Sequence, residues 1–203
     1  MPKTSLTLGL LAWATLIAAG FGWLAFYETR PGVGCVTTPD WPGGSGLKRD
    51  PERWTLLLFM HPRCLCSRAS LNELDSILAA AGNRVKAYVV CCKPRGAPAD
   101  WEKGANWRQA TAMKGLTVYC DENDRERSCF GPETSGHVLL YDKDGRLQYS
   151  GGITGSRGRT GDNAGRSAVE SYLRGETPGM TEEPVFGCPL VDSETPANEG
   201  TSQ

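Results

Sequence analysis

A short apolar run, Trp54-Thr-Leu-Leu-Leu-Phe-Met60, passes through His61-Pro62-Arg63 into Cys64-Leu65-Cys66, and from Ser67 onward the pattern becomes helical. A run so continuous and so short suits a strand buried on both faces of a sheet. Leu71, Leu74, Ile77, Leu78 and Ala81 make one stripe of a helix over about 67–81, which Gly82-Asn83 stops. A buried strand that hands over so quickly to an amphipathic helix commits the chain to layered α/β packing. It also sets two thiols where unpaired backbone N–H groups and the positive end of the helix dipole favour a thiolate. The chain therefore reads first as a redox or metal-thiolate protein.

The rest of the pattern continues the alternation. A second strand is expected over 85–91, and a loop with Pro94, Gly96 and Pro98 leads to Asp100 as N-cap of a helix reaching about Lys114. Leu116 to Cys120 reads as a third strand and 121–130 as a helical turn. His137 to Tyr141 and Leu147 to Ser150 are two strands joined by the hairpin signal Asp142-Lys-Asp-Gly145. Asp162 or Asn163 caps a last helix with Ala168, Val169, Tyr172 and Leu173 on its apolar face, ended by Gly175 and Pro178. Beyond Leu190 the chain is polar and core-poor and is expected to be disordered.

Ahead of this domain, residues Leu6 to Tyr27 carry no charge and would span roughly 33 Å as a helix, enough to cross a bilayer. A cleaved signal peptide is the alternative, with an apolar region of only about 7–15 residues. Ala18-Ala19-Gly20 lies inside the run rather than after it, which favours an uncleaved anchor. The charge bias of Lys3 against Glu28 and Arg30 favours an internal N-terminus and a domain on the periplasmic or exterior side. The expected organisation is an anchor over 1–28, a Pro/Gly-rich linker over 29–53, the α/β domain over 54–175 and a partly disordered tail over 176–203. The linker holds four prolines and five glycines and reads as an extended tether.

Twenty-two basic residues stand against 23 acidic ones without a basic block, which argues against nucleic acid as a partner. Eight cysteines suit an oxidising compartment, but they permit 105 pairings, so connectivity stays open. Cys91 or Cys92 is placed to bridge to Cys120, with Cys129 close by, while Cys35 and Cys188 on the two tails are candidates for pairing with each other or for relaying electrons.

With the order strand, thiol, helix, strand, helix, strand, hairpin and closing helix in place, residues 50–175 resemble the thioredoxin superfamily. The resemblance rests on Phe59-Met-His-Pro-Arg-Cys64-Leu-Cys66, on the helix after it and on Val138-Leu-Leu-Tyr-Asp-Lys-Asp-Gly145. The stretch from Tyr119-Cys-Asp121 to Gly145 is similar to the peroxiredoxin and membrane-tethered thioredoxin branch. Gly151-Gly-Ile-Thr-Gly-Ser-Arg-Gly158 and Val185-Phe-Gly-Cys-Pro-Leu190 resemble a RedB-like subgroup of anchored members. The resemblance implies a central mixed sheet flanked by helices, thiol–disulfide chemistry on protein or small-molecule thiols, and no bound organic cofactor. Two departures stand out. The usual motif is Cys-x-x-Cys, whereas here Ser67 takes the second cysteine's place, and Ser135-Gly136-His137 replaces the expected cis-proline.

Under thiol exchange, Cys64 attacks a partner disulfide and Cys66 resolves the mixed disulfide. A one-residue spacer makes that second step tight and its disulfide strained, hence oxidising. His137, at the start of the strand expected to face the thiols, is a candidate to stabilise the Cys64 thiolate or shuttle its proton. The alternative is a metal carrier in which Cys64, Cys66 and His61 or His137 hold copper or zinc. A thiol peroxidase is a further alternative, with His61 where the peroxiredoxin signature has Thr or Ser. The glycine-rich stretch 151–165, with Arg157 and Arg159, is expected to flank Cys64 and either admit an extended substrate or form a mobile turn.

Overall fold

The computed structural model describes residues 3–35, 37–94 and 96–191, which fall into two units divided after Arg30. The first is one helix, α1 (Lys3–Thr29), apolar on all sides, with Thr4–Thr29 long and apolar enough to cross a membrane. Its length and composition fit a membrane anchor or a signal sequence equally.

The second unit carries a six-stranded sheet in the order β3-β2-β1-β4-β5-β6, built from β1 (Trp54–Met60), β2 (Val85–Lys93), β3 (Leu116–Glu122), β4 (His137–Tyr141), β5 (Leu147–Gly152) and β6 (Glu182–Glu183). β1, β2 and β3 run parallel, β4 is antiparallel to β1, and β5 is antiparallel to β4. With helices on both sides of this sheet, the fold is a thioredoxin-like α/β arrangement.

Alternation along the central strands makes two cores. Leu56, Leu58 and Met60 of β1 face α2 (Ser67–Ala81) and α5 (Ala164–Arg174), meeting Leu71, Leu74, Ile77, Val169 and Leu173. Leu57 and Phe59 face the other way, onto Phe130 of α4 (Arg125–Phe130), Leu139 and Tyr141. Every residue of β1 after Trp54 is buried, the reason its sequence is continuously rather than alternately apolar.

Most expected elements form within a few residues of their expected ends. The main departure is α3 (Ala105–Ala112), which starts at Gly104 rather than Asp100. Asp100 takes a left-handed conformation, and Glu102 instead turns inward to a buried ion pair with Lys93 at 3.0 Å. The last helix is capped as expected, with the Asn163 side chain accepting from Arg166 N–H and Gly175 left-handed at its end.

The Pro/Gly-rich segment after α1 is laid along the globular unit and does not stand clear of it. Trp41 packs edge-on against Phe130 and Tyr141, both at 5.1 Å, and Leu47 is buried in the second core. Glu126 accepts hydrogen bonds from Ser45 Oγ and Gly46 N–H, while Leu147 N–H donates to Pro39 O. Prolines and glycines had suggested a free spacer, but two aromatic and aliphatic anchors are enough to hold it down. The disorder expected after Leu190 concerns residues 192–203, outside the described residues.

Candidate active site

Cys64 follows β1 by a short turn. Its N–H donates to His61 O and its own carbonyl accepts from Ser67 N–H, which starts α2, and from the Asn106 side chain at 2.8 Å. Cys66 is the helical-φ/ψ residue at the N-cap of α2. A second wall comes from the turn before β4. Gly136, at φ +96°, lies so close to α2 that a Cβ there would meet Ser70 Oγ at 2.8 Å. Ser135 Oγ accepts from His61 N–H and pairs with Ser67 Oγ, both at 2.8 Å. A small residue and a flexible glycine thus dock this turn onto the strand–helix junction, where the family resemblance implied a proline.

The third wall is the C-terminal segment, which crosses the end of the sheet. Ser135 N–H donates to Cys188 O and Leu190 N–H to Glu133 O, an antiparallel bridge centred on Thr134 and Pro189. Cys188 thereby comes to Cys64, with the sulfurs 3.0 Å apart, and the sulfurs of Cys64, Cys66 and Cys188 all lie within 4.8 Å of one another. Cys64 is 3 % exposed, whereas Leu65 beside it is 91 % exposed.

Electrostatics separate the three thiols. Hydrogen bonds from Cys188 and then Cys66, with further help from the Cys188 backbone and Ser67, hold the Cys64 thiol far below the ordinary range despite its burial. Cys188 is pushed far up, first by its hydrogen bond to Cys64 and then by that to Cys66. For Cys66 a hydrogen bond to Cys188 pulls down, but the bond to Cys64, burial and the charge on Cys64 outweigh it and the pKa rises. Of the three thiols, Cys64 is the one whose pKa its neighbours push down, while those of Cys66 and Cys188 are pushed up.

The histidines go elsewhere. His137 pairs in register with Phe59 and shares the face of Leu139 and Tyr141, opposite to the face that carries α2. Its Nε2 pairs with Ser150 Oγ at 2.8 Å, its Nδ1 is buried without a hydrogen bond, and burial pushes its pKa down to about 4. It lines an open cavity of about 500 Å³ with Cys35 and Glu183. The expectation that His137 faces the thiols fails on strand parity, since one residue's shift along β4 turns a side chain to the other side. His61 stays beside the site, its Nδ1 accepting from Arg63 N–H and its ring edge-on to Trp101 at 5.3 Å, with Arg63 stacked over the same indole. Neither histidine belongs to the group of donor atoms that includes the three sulfurs.

The glycine-rich stretch does reach the site. Arg157 donates to Gly187 O, next to Cys188, and its charge lowers the Cys66 pKa. Its far end is tied to α2 through Glu73, which accepts from Gly161 N–H and Arg166, both at 2.7 Å. From sequence, Cys188 is a tail cysteine that pairs with Cys35 or relays electrons, and is not placed beside Cys64. The motif Val185-Phe-Gly-Cys-Pro-Leu190 held the signal, because Val185 and Leu190 are both buried and fasten the segment on either side of the thiol.

The eight cysteines are free thiols in this structure. Cys91 and Cys120 do sit opposite each other in β2 and β3.

No protein-family model and no curated protein matches this chain. Among solved structures it is similar to a hypothetical protein from Sinorhizobium meliloti, at 19% identity over 80% of this chain and 97% of that one, with a TM-score of 0.61. An uncharacterized conserved protein from Geobacillus kaustophilus is 15% identical over 83% of this chain and 95% of that one, with a TM-score of 0.59. An exposed lipoprotein thioredoxin from Streptococcus pneumoniae is 18% identical over 69% of this chain and 99% of that one, with a TM-score of 0.47. At these identities the likeness concerns the fold.

Proposed function

We propose that this protein is a membrane-tethered thiol–disulfide oxidoreductase whose nucleophile is Cys64, acting on protein or small-molecule thiols and disulfides on the periplasmic or exterior side. The observation that carries this reading is the Cys64 sulfur at the start of α2, 3.0 Å from the Cys188 sulfur, in surroundings whose hydrogen bonds push its pKa down. That is the arrangement needed for attack on a disulfide followed by resolution of the mixed disulfide. The exposed Leu65 beside the nucleophile offers an apolar contact for a protein substrate.

The chemistry asks two things of the surroundings. The thiolate must be stabilised but not neutralised, and hydrogen bonds from neighbouring S–H groups do this without placing a formal positive charge on it. The backbone must also be held still, and Asn106, Ser67 and Ser135 tie the junction from three sides. His137, neutral and paired with Ser150, has no part in this scheme.

A second reading has one observation in its favour. Three sulfurs within 4.8 Å of one another suit Cu(I), or Zn(II) with a further ligand, and the set would be Cys64, Cys66 and Cys188 in place of either histidine.

The deciding experiment titrates the purified protein across glutathione redox buffers, with thiol alkylation, mass spectrometry and a metal assay on the same samples. A reversible two-electron couple that includes Cys64, without stoichiometric metal, is expected. Stable thiols with tightly bound copper or zinc would replace the exchange reading with the carrier.

A further inference from the structure

We infer that the redox couple of this site is Cys64 with Cys188, carried on a C-terminal strap, rather than Cys64 with Cys66. The inference rests on the thiol-exchange reading and assigns its resolving residue.

The strap is a built feature. After β6, which runs parallel to β5, residues 184–190 cross the end of the sheet and pair antiparallel with the Thr134–Ser135 turn. Val185 and Leu190 are buried on either side, Gly32 N–H donates to Val185 O, and Arg157 donates to Gly187 O. At Gly187 the backbones come so close that a Cβ would lie 1.8 Å from Ser135 O, so only glycine fits without displacement. These contacts set Cys188 Sγ 3.0 Å from Cys64 Sγ.

Cys66 is poorly placed for the same bond. It stands two positions along a tightening helical turn, with Ser67 N–H bonded to Cys64 O and Ala69 N–H to Cys66 O. The two sulfurs lie within 4.8 Å, but a Cys-x-Cys disulfide closes a small, strained ring and would disturb the turn that starts α2. Cys188 arrives on an independent strand and needs only a small approach of its side chain. Cys66 is then a positioning residue that donates to the thiolate.

In the reducing direction the Cys64 thiolate attacks one sulfur of a substrate disulfide R–S–S–R′. The Cys64–S–S–R bond forms, the substrate S–S bond breaks, and R′–S⁻ leaves and takes up a proton. Cys188 gives up its proton and attacks Cys64 Sγ, forming the Cys64–Cys188 disulfide and releasing R–S⁻, which is protonated in turn. Two cysteine thiols have lost two electrons to the substrate disulfide, and an external dithiol reductant returns the pair to the reduced state. In the oxidising direction each step reverses.

The strap also covers the Cys64 sulfur, which accounts for the burial of that side chain. Substrate entry requires the strap to move aside, and its return delivers the resolving thiol.

The test uses the full chain in detergent, oxidised with a glutathione disulfide buffer, alkylated and cut with trypsin without reduction. Cleavage after Arg63 and Arg68 releases Cys64-Leu-Cys-Ser-Arg68, and cleavage after Arg174 releases a separate peptide holding Cys188. We expect the two peptides disulfide-linked, the link retained in Cys66→Ser, and a stable Cys64–glutathione adduct accumulating in Cys188→Ser but not in Cys66→Ser. Gly187→Val, which displaces the strap, should reduce the link and speed alkylation of Cys64 in the reduced protein. A Cys64-Leu-Cys-Ser-Arg68 peptide lacking two hydrogens and unlinked to Cys188 would overturn the inference and leave thiol exchange standing. No oxidised pair and no adduct in any variant would overturn thiol exchange itself.

Discussion

Two groups of cysteines, Cys64 with Cys66 and Cys188 at the end of the sheet and Cys91 with Cys92 inside β2, differ in almost every physical respect. Cys91 and Cys92 are completely buried, one on each face of the sheet, packed in the two hydrophobic cores. Burial comes first among the causes that push their pKa values up, followed by the charges of Cys120 and Asp121 respectively. Cys64 is almost as buried, yet its pKa moves the other way, because other thiols and Ser67 donate to it. Burial alone therefore does not decide whether a thiol is reactive. What decides is whether the surroundings supply hydrogen-bond donors to the charged form, and a strand interior, with its backbone donors used in the ladder, supplies none.

Breaking the first group should produce the largest effect. Cys64→Ser is expected to cut the rate of disulfide exchange by about a thousandfold or more, measured with a small disulfide substrate, because no other cysteine has its donors. If exchange survives at a comparable rate, the thiolate is elsewhere and the contrast between the groups collapses.

A second prediction concerns a buried base that, like the β2 cysteines, lacks help for its charged form. His137 has its pKa lowered by burial from 6.5 to about 4, so the fold holds the neutral ring. Above pH 6.5 this costs nothing. As the pH falls from 6.5 to 4 the unfolded chain takes up a proton that the folded one refuses, and about 3 kcal/mol of stability should be lost over that window. His137→Gln, which does not titrate, should flatten this part of the stability profile in urea melts at pH 7 and pH 4. An unchanged slope would show that His137 is protonated in the fold.

Cys92→Ser tests the second group directly. Placing a hydroxyl in the core around Phe59, Val90 and Phe130 should cost about 2 kcal/mol in denaturant unfolding while leaving the exchange rate unchanged. A loss of exchange without a loss of stability would mean that β2 contributes to the chemistry. The smallest effect is expected at Leu65→Ala, which should alter stability by less than about 0.5 kcal/mol, since the side chain is 91 % exposed. Its effect should appear only as a higher KM for a protein disulfide, with small disulfides unaffected, and equal KM values would remove Leu65 from substrate contact.

By itself the sequence determined the elements and the place of Cys64 between β1 and α2. The continuous apolar run of β1, the stripe of α2, the hairpin signal after Tyr141 and the Asn163 cap are local patterns read by short-range physics, and they all form. Cys64 was legible for the same reason, because a thiol between a buried strand and a helix start has its environment set within a few residues. Tertiary structure alone decided which groups join it. His137 was expected at the thiols but lies one strand position off the required parity, and parity relative to β1 is set by register between strands far apart in sequence. The linker over 29–53 was expected to stand clear, but Trp41 found an aromatic pocket made by Phe130 and Tyr141. Cys188 lies 124 residues from Cys64. No pattern near either cysteine encodes their meeting, which depends on Val185, Gly187 and Leu190 holding a strap against a turn that the chain completed some fifty residues earlier.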